Sequence, residues 1–403
     1  MISVEEALKT ILMNFQPLGL EKASILDALA QVTGEDVFAG YDIPGAANSA
    51  MDGYAVRYRD TAGACAQNPF KLKIVEHIPA GHVPLKKIRK GEASRIMTGG
   101  LIPAGADAVI RQEDTKTAGE GVLILTEIAA GKDVRFAGED VKKGELVIPK
   151  GSFIKPAVIG MLAALGRAQV KVYRRPRVAI IATGDELVPI TKKPPAGKII
   201  NSNSYALAAQ VLACGGIPLM LGIAGDRKKD LQKIFKAATA NADMILSSGG
   251  VSVGDFDFVK TVMKEAGNSL HFWRVAMKPG RPLAFGEIEG VPMLGLPGNP
   301  VSTMVSFEQF VRPCLLKMQG HKNIFRPLIK ATVLEDIRKK AGVRHFIRAI
   351  VKKEKNKYFV SSTGGQGSGI LRSMVLANGL IVLTEKATKV KKGVLVDVQL
   401  LAD

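Results

Sequence analysis

The sequence predicts a multidomain protein of α+β and α/β class. A central parallel α/β domain is preceded by a small β-rich domain and followed by a C-terminal β domain, barrel or sandwich. Three observations carry this expectation. The chain has 403 residues, room for two to four domains at roughly 100–200 residues each. Its 47% hydrophobic and 23% charged content supports packed cores and excludes global disorder. The hydrophobic pattern changes character along the chain, from short apolar runs cut by Gly and Pro, to apolar strands alternating with helices, to alternating strands.

In order, residues 1–40 read as helical. Val4, Leu8, Ile11, Leu12 and Phe15 fall at helical spacing behind Ser3 and Glu6, an S-x-x-E capping box, and Ala23 to Val32 continue the spacing. Glu5 and Glu6 stand where a secretory leader would be basic, so the segment is expected to be part of the fold. From Tyr41 to about Ile148 come short runs such as Tyr54-Ala55-Val56, Leu72-Lys73-Ile74-Val75, Ala108-Val109-Ile110 and Val122-Leu123-Ile124-Leu125. These predict the β-rich domain. Lys155 to Gly166 reads as a helix, ending before the basic joint Arg174-Arg175-Pro176-Arg177.

Beyond the joint, strands at Val178 to Ala182, Ile217 to Ile223, Met244 to Leu246 and Phe272 to Met277 alternate with helices at Ser204 to Ala213, Lys228 to Ala240 and Phe258 to Glu265. Such alternation predicts a parallel sheet covered on both faces, whose ligands bind beyond the carboxyl ends of the strands. From about Arg326 the chain alternates and turns without a helical stretch, through Phe346 to Ile350, Lys357 to Val360, Leu380 to Leu383 and Val394 to Val396.

Cys65, Cys214 and Cys314 are far apart and form no zinc or CxxC spacing. A reducing, cytoplasmic compartment follows, with no disulfide scaffold. The longest plain apolar stretch, Ala157 to Leu165, is too short to cross about 30 Å of hydrocarbon, so no membrane partner is expected. The formal net charge is +19, and residues 326–403 hold 16 Lys+Arg against 6 Asp+Glu. A field of that kind attracts anions, and a lysine-rich solvated surface explains it equally well. Nucleic acid is disfavoured as a partner: aromatic content is 5%, there is one Trp, and no recognition module is visible.

Three segments lie where a site belongs. Thr183-Gly184-Asp185-Glu186-Leu187 places two carboxylates at a strand end, suited to Mg²⁺, although alone it is also an ordinary Gly-Asp turn. The run from Ser247 to Asp257, with Ser248, Gly249, Gly250, Ser252 and Gly254, lets backbone N–H groups cradle a phosphate ahead of a helix. Gly295 to Ser302, through Pro297, Gly298, Asn299 and Pro300, enters the helix Val301 to Leu316 with Pro at its first turn. Just upstream, Lys278 and Arg281 share one turn, spaced to grip an oxyanion. Together these suggest phosphoanhydride chemistry. No HExxH or H-x-E pattern is present, which removes zinc hydrolysis. In the β-rich domain, Asp52-Gly53 reads as a hairpin turn.

The ordered set NSAMDGYAV at 48–56, RIMTGG at 95–100, IPAGADAVI at 102–110, AGEDV at 137–141, ATGDEL at 182–187, GKIINSNSYAL at 197–207, SSGGVSVGDFDF at 247–258, MKPGRP at 277–282, GLPGNPVS at 295–302 and GQGSGIL at 365–371 resembles the molybdopterin molybdenumtransferase family, the MoeA and gephyrin E-domain proteins. The resemblance runs nearly the whole length. It implies a central MogA-like α/β domain at 175–325, a small β-rich domain at 41–141, an elongated helical piece made discontinuously from 1–40 and 142–174, and a C-terminal β-barrel at 326–403.

It also implies a homodimer with a cleft between the α/β domain of one subunit and the small β domain of the other. The implied substrates are adenylylated molybdopterin, whose pyrophosphate is hydrolysed to release AMP, and molybdate, with Mg²⁺ required. The adenylyltransferase is an implied partner protein. Carried over position by position, Asp52, Thr98, Asp140, Glu186, Asp226 and Asp257 match active-site positions, and Asp185, Glu186 and Asp257 are the expected metal ligands. Lys278, Arg281 and Ser302 are expected to hold molybdate, with Arg344 and Ser368 closing the site. Two positions depart from the family pattern: Arg281 where many relatives have Lys, and Gly100 where Ala is frequent and where Gly should loosen the turn after Thr98. Competing readings are a molybdopterin adenylyltransferase, opposed by the β domains at both ends, and a gephyrin-like scaffold.

Overall fold

Ser3 caps the first helix as its sequence predicts. Its Oγ accepts the Glu6 N–H at 3.0 Å, and helix Val4–Met13 buries Val4, Ala7 and Ile11. The helical spacing from Ala23 to Val32 forms no helix. Leu20–Ser24 is a strand paired antiparallel with Gln169–Tyr173, the Ser24 hydroxyl donates to Asp27 Oδ2 at 2.8 Å, and Ala30 turns through a left-handed φ of 62°. Pairing with a strand far along the chain overrides local periodicity, which no short window can reveal.

The computed structural model describes residues 1–225, 228–249 and 270–401. The chain divides into two units, one of Met1–Gly34, Phe153–Pro156 and Gln169–Asp403, the other of Glu35–Ser152 and Ala157–Ala168. No helix among the described residues is long and apolar enough to cross a membrane.

The second unit is built on a six-stranded sheet in the order Ala108–Arg111, Gly53–Val56, Glu92–Ile96, Phe70–Ile78, Gly121–Ile124, Thr115–Ala118. Tyr54 and Val56 enter one core and Ala55 the other, the alternation a strand requires. Asp52-Gly53 is not a hairpin turn. Asn48–Ser49 pairs with Val134–Arg135, while Gly53 already lies in the sheet opposite Ile96 and Arg111. A Cβ at Gly53 would drive into Ile110 O, so close strand approach explains this glycine. Lys155 to Gly166 is realised as helix Pro156–Ala164.

The first unit carries the α/β sheet, in the order Ile217–Ala224, Arg177–Thr183, Met244–Ser248, Val291–Leu296, Pro282–Ile288, Leu270–Arg274. Val178 and Ile180 pack in the core that holds the first helix. Ala179 and Ile181 face Leu231 and Phe235 in the other, so both faces are covered. The first four strands are parallel, but Pro282–Ile288 pairs antiparallel with both of its neighbours, which makes the sheet mixed. The reason is local: Glu289 and Gly290, at φ 48° and 79°, close a two-residue hairpin whose twist matches the flanking strands. The helix expected at Phe258 to Glu265 lies outside the described residues. The helix expected at Val301 to Leu316 runs as Pro300–Ser306, a wider turn at Phe307–Val311, and Arg312–Met318. Pro313, which has no N–H to donate, is the second residue after the wide turn.

Toward the C-terminus five strands close into a barrel. Arg344–Glu354 pairs with both Lys357–Ser362 and Gly379–Leu383, and Leu328–Val333 and Leu395–Leu400 complete the ring. Closure removes the edges a sandwich would leave. One short helix, Arg372–Leu376, interrupts a stretch whose sequence shows none. Met277–Lys278 runs parallel to Arg344–His345 and ties the barrel to the α/β sheet.

Candidate active site

Three strands of the α/β sheet end side by side at Thr183, Ser248 and Leu296. Gly249, at φ 91°, donates its N–H to Leu296 O at 3.1 Å, and a Cβ there would lie 2.5 Å from Thr183 O. The first two predicted segments thus touch through a position only glycine fills. Asn203, at the start of helix Asn203–Ala213, locks in the third: its Nδ2 donates to Ser248 Oγ at 2.8 Å and to Gly298 O at 2.7 Å. Asn203 lies in the segment GKIINSNSYAL without being among the residues expected at the site, because its partners are distant in sequence. The buried hydroxyls Thr183 Oγ1 and Ser247 Oγ find no partner among the described residues, which marks these strand ends as polar sites not fully used by the fold.

Thr303 Oγ1 donates to Pro297 O at 2.5 Å and Asn299 O at 3.0 Å, fixing the turn before helix Pro300–Ser306. Ser302 is buried in its first turn. The Val301 N–H donates to Ser368 O at 3.1 Å, so the loop 365–371 of the barrel seats on this helix terminus through its backbone. Asp185 and Glu186 are exposed. Lys198 Nζ donates to Asp185 O at 2.5 Å, and the Glu186 carboxylate lies against Gly184, where φ is 141°. Exposed carboxylate oxygens at a strand end are the donor class a hard cation takes, so these two residues fit Mg²⁺. No cluster of three His, Cys, Asp or Glu occurs among the described residues. Asp226, Gly250, Ser252, Gly254 and Asp257, all predicted site residues, lie outside the described residues.

Lys278 faces a cavity of about 250 Å³ that it lines with Pro279, Arg338, His345, Arg348 and Gln366. Arg348 is only 1% exposed; its guanidinium donates to Ser373 Oγ at 3.1 Å and Gly367 O at 3.0 Å. Burial pulls its pKa below the usual arginine value, and a guanidinium stays charged all the same. Glu335 and Asp336 also line the cavity and are engaged by the backbone N–H groups of Ser362 and Lys392. Arg348 is not among the residues expected at the site from sequence. Its signal is a cation inside the apolar run Phe346 to Ile350. Arg344, expected to close the site, contacts Glu5 and Glu385 and lines a different cavity. Arg281 is exposed on the turn after Gly280.

In the second unit, Asp52 Oδ1 accepts the Thr98 N–H at 2.7 Å and the Thr98 hydroxyl at 2.8 Å. The Thr98 backbone bond, more than its hydroxyl bond, holds the Asp52 carboxyl below its usual value. Asp140 is exposed, with its N–H on Ile43 O at 3.0 Å. Gly100 follows this turn under tight packing, since a Cβ would lie 2.9 Å from Ile78 O and Met97 O. Its absent side chain therefore serves close approach, where the sequence suggested only a looser turn.

A mixed α/β sheet whose strand ends carry Gly-containing turns and paired carboxylates, followed by a β-barrel and preceded by a β-rich domain, defines a multidomain α/β protein with its candidate site at the carboxyl ends of the strands. Family profiles match the chain in order: "MoeA N-terminal region (domain I and II)" over residues 2–166, "Probable molybdopterin binding domain" over 179–317, and "MoeA C-terminal region (domain IV)" over 330–401. The molybdopterin molybdenumtransferase of Haemophilus influenzae is 36% identical across 99% of this chain and 98% of its own length. Molybdopterin molybdenumtransferase 2 of Mycobacterium tuberculosis is 40% identical over 92% of both. A crystal structure of a molybdopterin biosynthesis MoeA protein from Pyrococcus horikoshii superposes with a TM-score of 0.85 at 33% identity, covering 99% of this chain and all of that one. The chain belongs to the molybdopterin molybdenumtransferase family.

Proposed function

We propose that the protein is a molybdopterin molybdenumtransferase that inserts molybdate into adenylylated molybdopterin as water cleaves the pyrophosphate and AMP leaves. The observation that carries this reading is the convergence of three strand ends, where Asn203 bridges Ser248 and Gly298, in a chain similar over its whole length to enzymes of that name. Backbone N–H groups at Gly298 and Ser302 bind phosphate oxygens, and Gly249, whose own N–H is taken by Leu296 O, holds Ser248 beside them. Lys278, with Arg281 and Ser302, receives the molybdate oxyanion, and buried Arg348 contributes a fixed positive charge at the same cavity. Arg344 and Ser368 hold the barrel in place beside it.

Asp185 and Glu186, with Asp257, would hold Mg²⁺, which supplies charge neutralisation on the phosphates. Asp226 is assigned to the same side of the site. The protein acts as a homodimer: Asp52, Thr98 and Asp140 are contributed by one protomer to the α/β domain of its partner, and Asp52, kept ionised by Thr98, positions the attacking water. The four-domain division at 1–40 with 142–174, 41–141, 175–325 and 326–403, a cytoplasmic location and a transient partnership with the adenylyltransferase belong to the same proposal.

The test is AMP release from adenylylated molybdopterin, measured with and without molybdate and Mg²⁺. Molybdate-dependent release with formation of active cofactor is expected. Consumption of ATP with molybdopterin, independent of molybdate, would replace this reading by the adenylyltransferase.

A further inference from the structure

A cavity of about 550 Å³ lies at the opposite end of the α/β sheet from the candidate active site. Arg175 precedes the strand Arg177–Thr183, and Gly215-Gly216 precede the strand Ile217–Ala224; all three residues lie just before the amino ends of two neighbouring parallel strands. Seven residues of strand at about 3.3 Å each separate this end from Thr183.

Three guanidinium groups, Arg175, Arg312 and Arg326, line the cavity, and no carboxylate among the described residues does. Arg175 Nη2 donates to Asp27 O at 3.3 Å and Arg312 Nη1 to Ile324 O at 3.0 Å. A main-chain carbonyl thus orients one nitrogen of each of these two forks. Glu308, 9% exposed, pairs with Arg326 at 3.3 Å and fixes the third. Beside them, His321 and Phe153 form an aromatic pair with centroids 5.7 Å apart. Burial, then the charge of Arg312, holds the imidazole below its usual value, so it meets a ligand as a neutral donor and acceptor. Phe153 is 51% exposed and offers a ring face.

We propose that this cavity binds a ring-bearing phosphate monoester of the nucleoside monophosphate class, its phosphate on the arginine forks and its ring against Phe153. Planar guanidinium forks match phosphate oxygens in bidentate geometry, and the volume falls in the range of about 300–1,000 Å³ typical of small-molecule sites. A bare phosphate would leave most of it empty and the aromatic wall unused.

The test uses the full-length protein with adenosine 5′-monophosphate and with inorganic phosphate. Crystals soaked with the nucleotide should show it in this cavity, separately from any nucleotide at the strand carboxyl ends. In calorimetry, Arg175→Gln and Arg312→Gln should each weaken binding at this cavity by about tenfold or more, while thermal unfolding and molybdate-dependent AMP release stay at wild-type level. Should a Gln variant unfold early, Arg312→Lys keeps the charge, removes the fork, and should still lose affinity. An empty cavity in the soaked crystals, unchanged affinity in the folded variants, or inorganic phosphate binding as tightly as the nucleotide would each overturn the assignment. None of these outcomes bears on the transferase reading, which the AMP-release assay tests alone.

Discussion

Asp52 Oδ1 accepts two hydrogen bonds from one residue, the backbone N–H of Thr98 at 2.7 Å and its hydroxyl at 2.8 Å. Donors to a carboxylate favour its charged form, and Asp52 accordingly titrates below its usual 3.8. Asp52→Asn keeps an acceptor oxygen for both Thr98 donors while removing the charge. Turnover is expected to fall by roughly 100-fold or more, with circular dichroism, unfolding midpoint and oligomeric state unchanged. Activity within a few-fold of wild type would remove Asp52 from the chemistry.

Gly249 sits at φ 91° with its missing Cβ 2.5 Å from Thr183 O. In Gly249→Ala, left-handed strain and overpacking act together, at a cost of about 2–4 kcal/mol. Because Thr183 starts the segment with Asp185 and Glu186, the clash also pushes two parts of the site apart. Denaturant unfolding should show the stability loss, and residual folded enzyme should have lost AMP release.

Asn203 holds Ser248 and Gly298 with one amide group. Asn203→Ala leaves both acceptors without that donor, worth about 1–3 kcal/mol. The expected result is a KM for adenylylated molybdopterin raised roughly tenfold with a smaller change in kcat, since the substrate cradle loosens while the groups nearest the chemistry remain. A kcat loss at constant KM would instead make Asn203 part of the chemistry itself.

The legible part of the fold was the part written locally. The capping box at Ser3 and Glu6, the apolar strands from Val178 and Met244, and the Gly-rich strand ends announce themselves in a few neighbouring residues. The strand Leu20–Ser24 was missed because its partner is Gln169–Tyr173, and the antiparallel strand Pro282–Ile288 because only the turn at Glu289-Gly290 distinguishes it from a parallel one. The site shows the same division. Gly249 and Pro300 carry local signals, whereas Asn203 and Arg348 act through side chains that meet residues distant in sequence. Arg344 was attractive as a cation, but the charges that decide its role, Glu5 and Glu385, come from elsewhere in the chain.

His345 gives a pH dependence whose sign follows from its surroundings. Burial first, then the positive charges of Lys339 and Lys278, push its imidazole down to about 4 from the usual 6.5. Between these values the unfolded chain binds a proton that the folded chain does not, so stability rises with pH across the interval. This contribution is fully present above pH 6.5 and is lost progressively as the pH falls toward 4. Thermal unfolding at pH 7.0 and pH 4.5 should show a larger drop in midpoint for the wild type than for His345→Gln, which cannot take up the proton. Lys278→Met removes one of the repelling charges and leaves burial, the larger cause, in place, so its profile should fall between the two. Equal pH profiles for wild type and His345→Gln would mean that the imidazole is solvated in solution, and that the Lys278 cavity is wetter than its geometry indicates.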